Sequence, residues 1–583
     1  MTAVTISQQP LLPEMKGLHM QDNAITTNGI SNNSSSNGTE KRDLTATPYK
    51  DDDGDDVYHD TTAAPTDVNA HLEGPYCRML GETEHNWCRA VSSGTGITVL
   101  SMLFKKVLDP QVLQQAAISV QLQHPRLRSQ LLWIERRPAF KVSDDPYVKV
   151  EVIDATSPPP PSPEEEEAEA KNEVKNEDID ADGEEQWSDA DGQEQWSTAE
   201  LQDSEDHKWM AHLETELNTN MWPELQHCLE PIDMFVVRLY LLPEDRSLVV
   251  LRLHTAVCDR VAAATVMVDL LKALRNVTVG VEDVGSSAVQ EIPSQASNLG
   301  QQCSSDSTTV THNFISVEDS IPPGKARKPF WAHGIDILGY SLGTRRHALL
   351  PFDEPNSPRS SKFFHCILSV DHTKQLVEAC EKRGTSVYGV LCAAGLKAAA
   401  AIKLLGRRSE HFAVISLINC RQLLQPRLSE STVGFYHSAL MNTHHINEET
   451  DFWDLVKRCS GSLDDAMRNR KHFTDMGDLN YLMFQAIQHP GLTPSCSMRT
   501  SLLVLFRDPV LGEIQDLSET LGIEHYVGCS SIHGVGPTLA IFDSVRNGAL
   551  HFTGMYPNPL YSRAQMLTYL RLMVDIIVQS LET

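Results

Sequence analysis

Two apolar runs only five residues apart constrain this chain most. MFVVRLYLL (234–242) and LVVLRLH (248–254) flank PEDRS, and their content predicts two strands joined by a turn. A helix is expected at once afterwards, over 261–274, because Ala263, Val266, Met267, Leu270, Leu271 and Leu274 fall on one face. Apolar strands beside an amphipathic helix bury their surfaces by layering, which makes the fold class mixed α/β. The same grammar recurs along the chain. Residues 109–123 read as a helix with Asp109 as N-cap and Pro110 in its first turn, stopping at HPRLRS (124–129). Farther on, a strand (362–370), a helix (372–382), an Ala-rich helix from Val387 and a strand (412–419) follow one another. PTLAIFDSV and ALHFTGMY flank an Asn547-Gly548 hairpin turn, and a last helix covers 562–581.

Charge divides the chain differently. The formal charge is −29, yet residues 1–74 (12 acidic, 4 basic) and 164–206 (19 acidic, 2 basic) hold −25 of it. These segments lack apolar periodicity, so burial cannot offset their ordering entropy, and 1–74 is expected as a disordered tail and 157–206 as a disordered acidic insert. EQWS occurs twice in the insert, carrying Trp187 and Trp196; two copies are too few for a solenoid. A Ser/Gln-rich stretch, 283–325, reads as a polar linker. Two structured halves remain, 75–330 and 357–583.

The near-neutral remainder has no Lys/Arg-rich patch with interleaved aromatics, so nucleic acid is not expected as a partner. The twelve cysteines are scattered without a CxxC pair, so no metal site is expected and reduced, mostly buried thiols are. No apolar run approaches the roughly 20 residues of a membrane span, and the N-terminus lacks the order of a signal peptide, so the expectation is a cytoplasmic monomer.

At the end of the second strand the chain reads HTAVCDR, starting at His254. This resembles the His-His-x-x-x-Asp-Gly signature of the CoA-dependent acyltransferase superfamily, which includes peptide-synthetase condensation domains, alcohol acetyltransferases and polyketide-associated acyltransferases. RMLGETEHNW, HPRLRS, INCRQLLQP (418–426) with VGFY (433–436), and the C-terminal hairpin and helix resemble further family segments in the same order. The resemblance implies two chloramphenicol-acetyltransferase-like subdomains meeting at a central channel. It also implies acyl transfer from acyl-CoA, as cosubstrate, to a small-molecule alcohol or amine, with no bound cofactor. In the family the second His is the general base, and the Asp holds the motif's loop by pairing with an Arg.

Here the motif departs from the family. Aligned without a gap, the first His is His254, the base position is Thr255, the Asp is Asp259, and Arg260 stands for Gly. Threonine cannot accept a proton at neutral pH. A one-residue slip would make His254 the base, but neighbouring residues of an extended chain point oppositely, which should aim it away from the channel. Asp259 is also placed to cap the following helix. His365, His437, His533 and His551 read as core or surface residues. ILGYSLG (337–343) resembles the segment around a carrier protein's pantetheinylated Ser, here Ser341, but no helical bundle precedes it. The functional readings therefore stay open: an acyltransferase, a catalytically inactive member of the same fold that binds a ligand or partner, or, third, an acidic insert that docks a basic protein partner.

Overall fold

The computed structural model describes residues 77–134, 137–156, 199–202, 207–222, 231–282, 314–344, 346–508, 510–511 and 514–582. All lie in one compact unit, Asn69–Thr583. The expected tail, most of the acidic insert and most of the polar linker fall outside the described residues. The architecture is mixed α/β, with three sheets and helices layered on them.

The first half is built on a five-stranded sheet in the order Ile523–Ile532, Thr95–Phe104, Arg246–His254, Phe235–Leu242, Val150–Asp154. Its pairs are antiparallel except the last, which is parallel. The central strand Arg246–His254 is buried from Ser247 onward, the pattern of a strand covered on both faces. It passes through one tight turn, Thr255–Val257, into the helix Arg260–Glu282, whose Ala262, Val266, Leu270, Leu271 and Leu274 enter the core. The helix Pro110–Gln123 packs on it and begins as expected, with the Asp109 carboxylate accepting from the Gln111 amide at 2.7 Å. A separate four-stranded sheet runs Cys77–Met79, Arg137–Val142, Ser129–Ile134, Ile232–Asp233.

The second half has its own core and an eight-stranded sheet. His437–Ile446, Glu410–Asn419, Arg499–Phe506, Gly536–Arg546, Ala549–Asn558, Ser360–Leu368 and Ala199–Gln202 succeed one another, with Val510–Leu511 beside Gly536–Arg546. Asn547 (φ 49°) and Gly548 (φ 80°) form the expected two-residue turn between Arg546 and Ala549.

Two strands change sides. Ile523–Ile532, late in the sequence, pairs with Thr95–Phe104 of the first half, and Ala199–Gln202 pairs with Ser360–Leu368 of the second. The latter corrects the expectation for the end of the acidic insert: the open sheet edge offers backbone partners that polar composition does not reveal, and Gln202 is buried. The linker expectation is likewise corrected over 314–325. There Val317, Ser316 and Ser320 are buried, and Glu318 accepts from the Thr83 amide at 2.6 Å.

Candidate active site

A cavity of about 650 Å³ lies where the two halves meet. Its wall is mainly apolar, with Trp87, Leu100 and Met267 from one half and Phe435, Met476 and Phe506 from the other. A polar stretch of wall holds Thr98, Thr255, Asp259, His437 and Ser530. Helix Phe330–Thr344 contributes Ile337, Leu338 and Ser341. Leu338 is 58 % exposed, so this helix stands at the cavity's rim. The carrier-like segment ILGYSLG is thus part of a helix on the cavity wall.

His254 and Thr255 face different surroundings, as residues leaving a strand should. His254 is fully buried: its Nδ1 accepts from the Ala256 amide at 3.1 Å, its ring meets Trp222 edge-on at 5.2 Å, and its Nε2 has no partner. Burial pushes its pKa down to about 3. It is not among the residues of the cavity wall. Thr255 is on that wall, and its hydroxyl donates to the Gly96 carbonyl at 2.5 Å. The Thr255 and Thr98 hydroxyls lie 3.0 Å apart and those of Thr98 and Ser530 2.8 Å apart, the last pair set by the register of the exchanged strand. With its one proton committed to a carbonyl, Thr255 is neither a base nor a free donor. Gly96 (φ 97°) makes this contact possible, since a Cβ there would stand 2.9 Å from the Trp87 ring and 3.1 Å from Thr255 Oγ1.

Asp259 is the most heavily tied residue of the site. One carboxylate oxygen accepts from the Ala262 amide at 2.9 Å, capping the helix, and from Arg421 at 3.0 Å. The other accepts from the Tyr436 amide at 2.8 Å and lies 2.9 Å from Arg421 Nη1 and 3.0 Å from His437 Nδ1. Burial alone would raise its pKa; the Arg421 cation and then His437 outweigh that and hold the carboxyl well below the usual carboxylate range. Arg421 is fully buried and also donates to the Thr432 and Gly434 carbonyls.

Arg260 occupies the wall with its guanidinium 3.0 Å from Asp543 and stacked over Phe506 at 4.2 Å. Burial pushes Arg260 down and Asp543 up, and their mutual attraction opposes both shifts. Sequence reasoning missed Arg421, Gly96, Thr98 and Ser530 as site residues, and it read His437, which lies on the cavity wall, as a core or surface residue. Arg421 and His437 do carry a signal, lying in and just after the two downstream segments that resemble the family.

Residues 357–488 match the family model described as phthiocerol/phthiodiolone dimycocerosyl transferase C-terminus. Solved structures share the fold along most of the chain. A trichothecene 15-O-acetyltransferase from Fusarium sporotrichioides is 11 % identical, with a TM-score of 0.56 over 86 % of this chain and 94 % of its own. A cyclization-docking bidomain of a nonribosomal peptide synthetase from Sorangium cellulosum is 13 % identical, with a TM-score of 0.53 over 87 % and 85 %. A condensation domain of a monacolin K polyketide synthase is 12 % identical, with a TM-score of 0.52 over 87 % and 98 %. No curated protein matches in sequence. The architecture is that of the two-subdomain condensation and acetyltransferase folds. Residues 357–488 are thus similar to the C-terminal part of an acyltransferase family, and the fold along most of the chain is the one these solved structures share. Among the described residues no single helix is long and apolar enough to cross a membrane.

Proposed function

We propose that this protein transfers an acyl group from an acyl-CoA thioester to a small, largely apolar alcohol or amine. The observation that carries the reading is the cavity between the halves. It is large enough for a small-molecule acceptor, apolar along most of its wall, and polar where the HTAVCDR segment meets His437. A largely apolar wall strengthens any hydrogen bond to the reacting groups, and fixed walls hold acceptor and thioester together. The inactive-member reading draws support from a specific observation, the sealed His254 beside the committed Thr255 hydroxyl.

A panel of acyl-CoAs with hydrophobic alcohols and amines separates the two. Release of free CoA thiol together with an acylated acceptor, seen by mass spectrometry, supports transfer. Tight acyl-CoA or ligand binding without acylated product from any pair supports the binding protein.

A further inference from the structure

We propose that His437, from the second half, is the general base of this site, with Asp259 as its orienting partner. The inference rests on the acyl-transfer reading above and assigns the residue that performs its proton transfer.

Transfer to an alcohol or amine needs an acceptor for the proton that the nucleophile loses. Neither candidate from the sequence motif fills that role: His254 is sealed in the core, and the Thr255 hydroxyl is spent on Gly96. His437 meets the requirements. It begins the strand His437–Ile446 and lines the cavity although its residue surface is 4 % exposed. Its Nδ1 lies 3.0 Å from Asp259 Oδ2, off the line of an ideal hydrogen bond, a geometry that substrate binding commonly tightens. Nε2, on the far side of the ring from the carboxylate, is bonded to no described residue and, unlike Nε2 of His254, is not sealed away.

Asp259 cannot swing away, because the Ala262 and Tyr436 amides and Arg421 hold both its oxygens. A fixed carboxylate beside Nδ1 favours the tautomer that carries its proton there, which leaves the Nε2 lone pair for the substrate. Phe435 and Phe506 limit the ring from two sides, with centroids at 6.2 and 6.0 Å.

The step balances without a further reactant. Nε2 takes the proton from the acceptor O–H or N–H as that atom bonds to the thioester carbonyl carbon. The C–S bond then breaks, and the CoA thiolate takes the proton back from Nε2, leaving an ester or amide and CoA–SH. Asp259 stays ionised throughout and acts as a positioning residue.

The test uses the full chain with the acyl-CoA and acceptor that the panel identifies. His437→Gln, close in size, should lower kcat by about a hundredfold to ten-thousandfold. His437→Ala should do the same and regain activity with added imidazole, while both variants stay folded and keep wild-type acyl-CoA binding. An active wild type whose variants stay within about threefold overturns this proposal and leaves the acyl-transfer reading standing. A second measurement needs no turnover: diethylpyrocarbonate, which acylates accessible neutral imidazoles, should modify His437 but not His254 by peptide mapping, and octanoyl-CoA should protect His437. Failure of His437 to react in the folded protein overturns the proposal even if no acceptor is found.

Discussion

Asp259 and Arg421 stand 162 positions apart in sequence and meet through contacts of 2.9 and 3.0 Å, their side chains 2 % and 0 % exposed. The pair ties the start of the motif helix in the first half to the turn after Glu410–Asn419 in the second. Removing one partner leaves the other charge buried, which costs about 3–5 kcal/mol. Asp259→Ala is therefore expected to destabilise by that much, since it also loses the helix cap. Asp259→Ala with Arg421→Ala should cost less than the sum of the two single changes. Urea unfolding measures both; wild-type stability in Asp259→Ala would contradict the anchoring role.

Acid should weaken this anchor in a defined direction. The carboxyl of Asp259 is held below its ordinary range in the folded state, so its stabilisation is present at pH 5 and above. It is lost as pH falls below the ordinary carboxylate value of about 4 toward the lower folded value. The stability gap between wild type and Asp259→Asn is expected to narrow between pH 5 and 3. A gap independent of pH would show that hydrogen-bond geometry alone, and not the charge, carries the effect.

His254 makes a second pH-dependent contribution in a different window. Burial lowers its pKa to about 3, so it folds as neutral imidazole, whereas the unfolded chain takes up a proton below about 6.5. Its contribution is present above that value and falls by about 1.4 kcal/mol per pH unit down to the folded pKa. Wild type should accordingly lose stability between pH 6 and 4 more steeply than His254→Gln, by roughly that slope. Equal slopes in denaturant titrations would place His254 in contact with solvent.

The Thr255 hydroxyl is expected to matter for stability more than for chemistry. Thr255→Val leaves the Gly96 carbonyl without its donor and should cost about 1–3 kcal/mol, with kcat changed less than by His437→Gln. Gly96→Ala forces a side chain into positive φ against Trp87 and is expected to be at least as destabilising. Thermal melts and steady-state rates check both. Loss of kcat in Thr255→Val as large as in His437→Gln would return the chemistry to Thr255.

Locally encoded features of this protein are legible in its sequence. The strand–turn–helix of 234–274, the Asp109 cap and the Asn547-Gly548 turn each depend on a few neighbouring residues, whose backbone preferences and apolar spacing decide the outcome. The opposite facing of His254 and Thr255 follows in the same way from the period of an extended strand. Tertiary structure decides the rest. Helix Phe330–Thr344 lies beyond a polar stretch and reaches the cavity wall only through the fold. Ala199–Gln202 and Ile523–Ile532 cross between the halves because open strands there supply backbone partners, which no local pattern encodes. Arg421 and His437 come to Asp259 from 162 and 178 positions away, and only the packed interior, where an unpaired charge is costly, selects them as its partners.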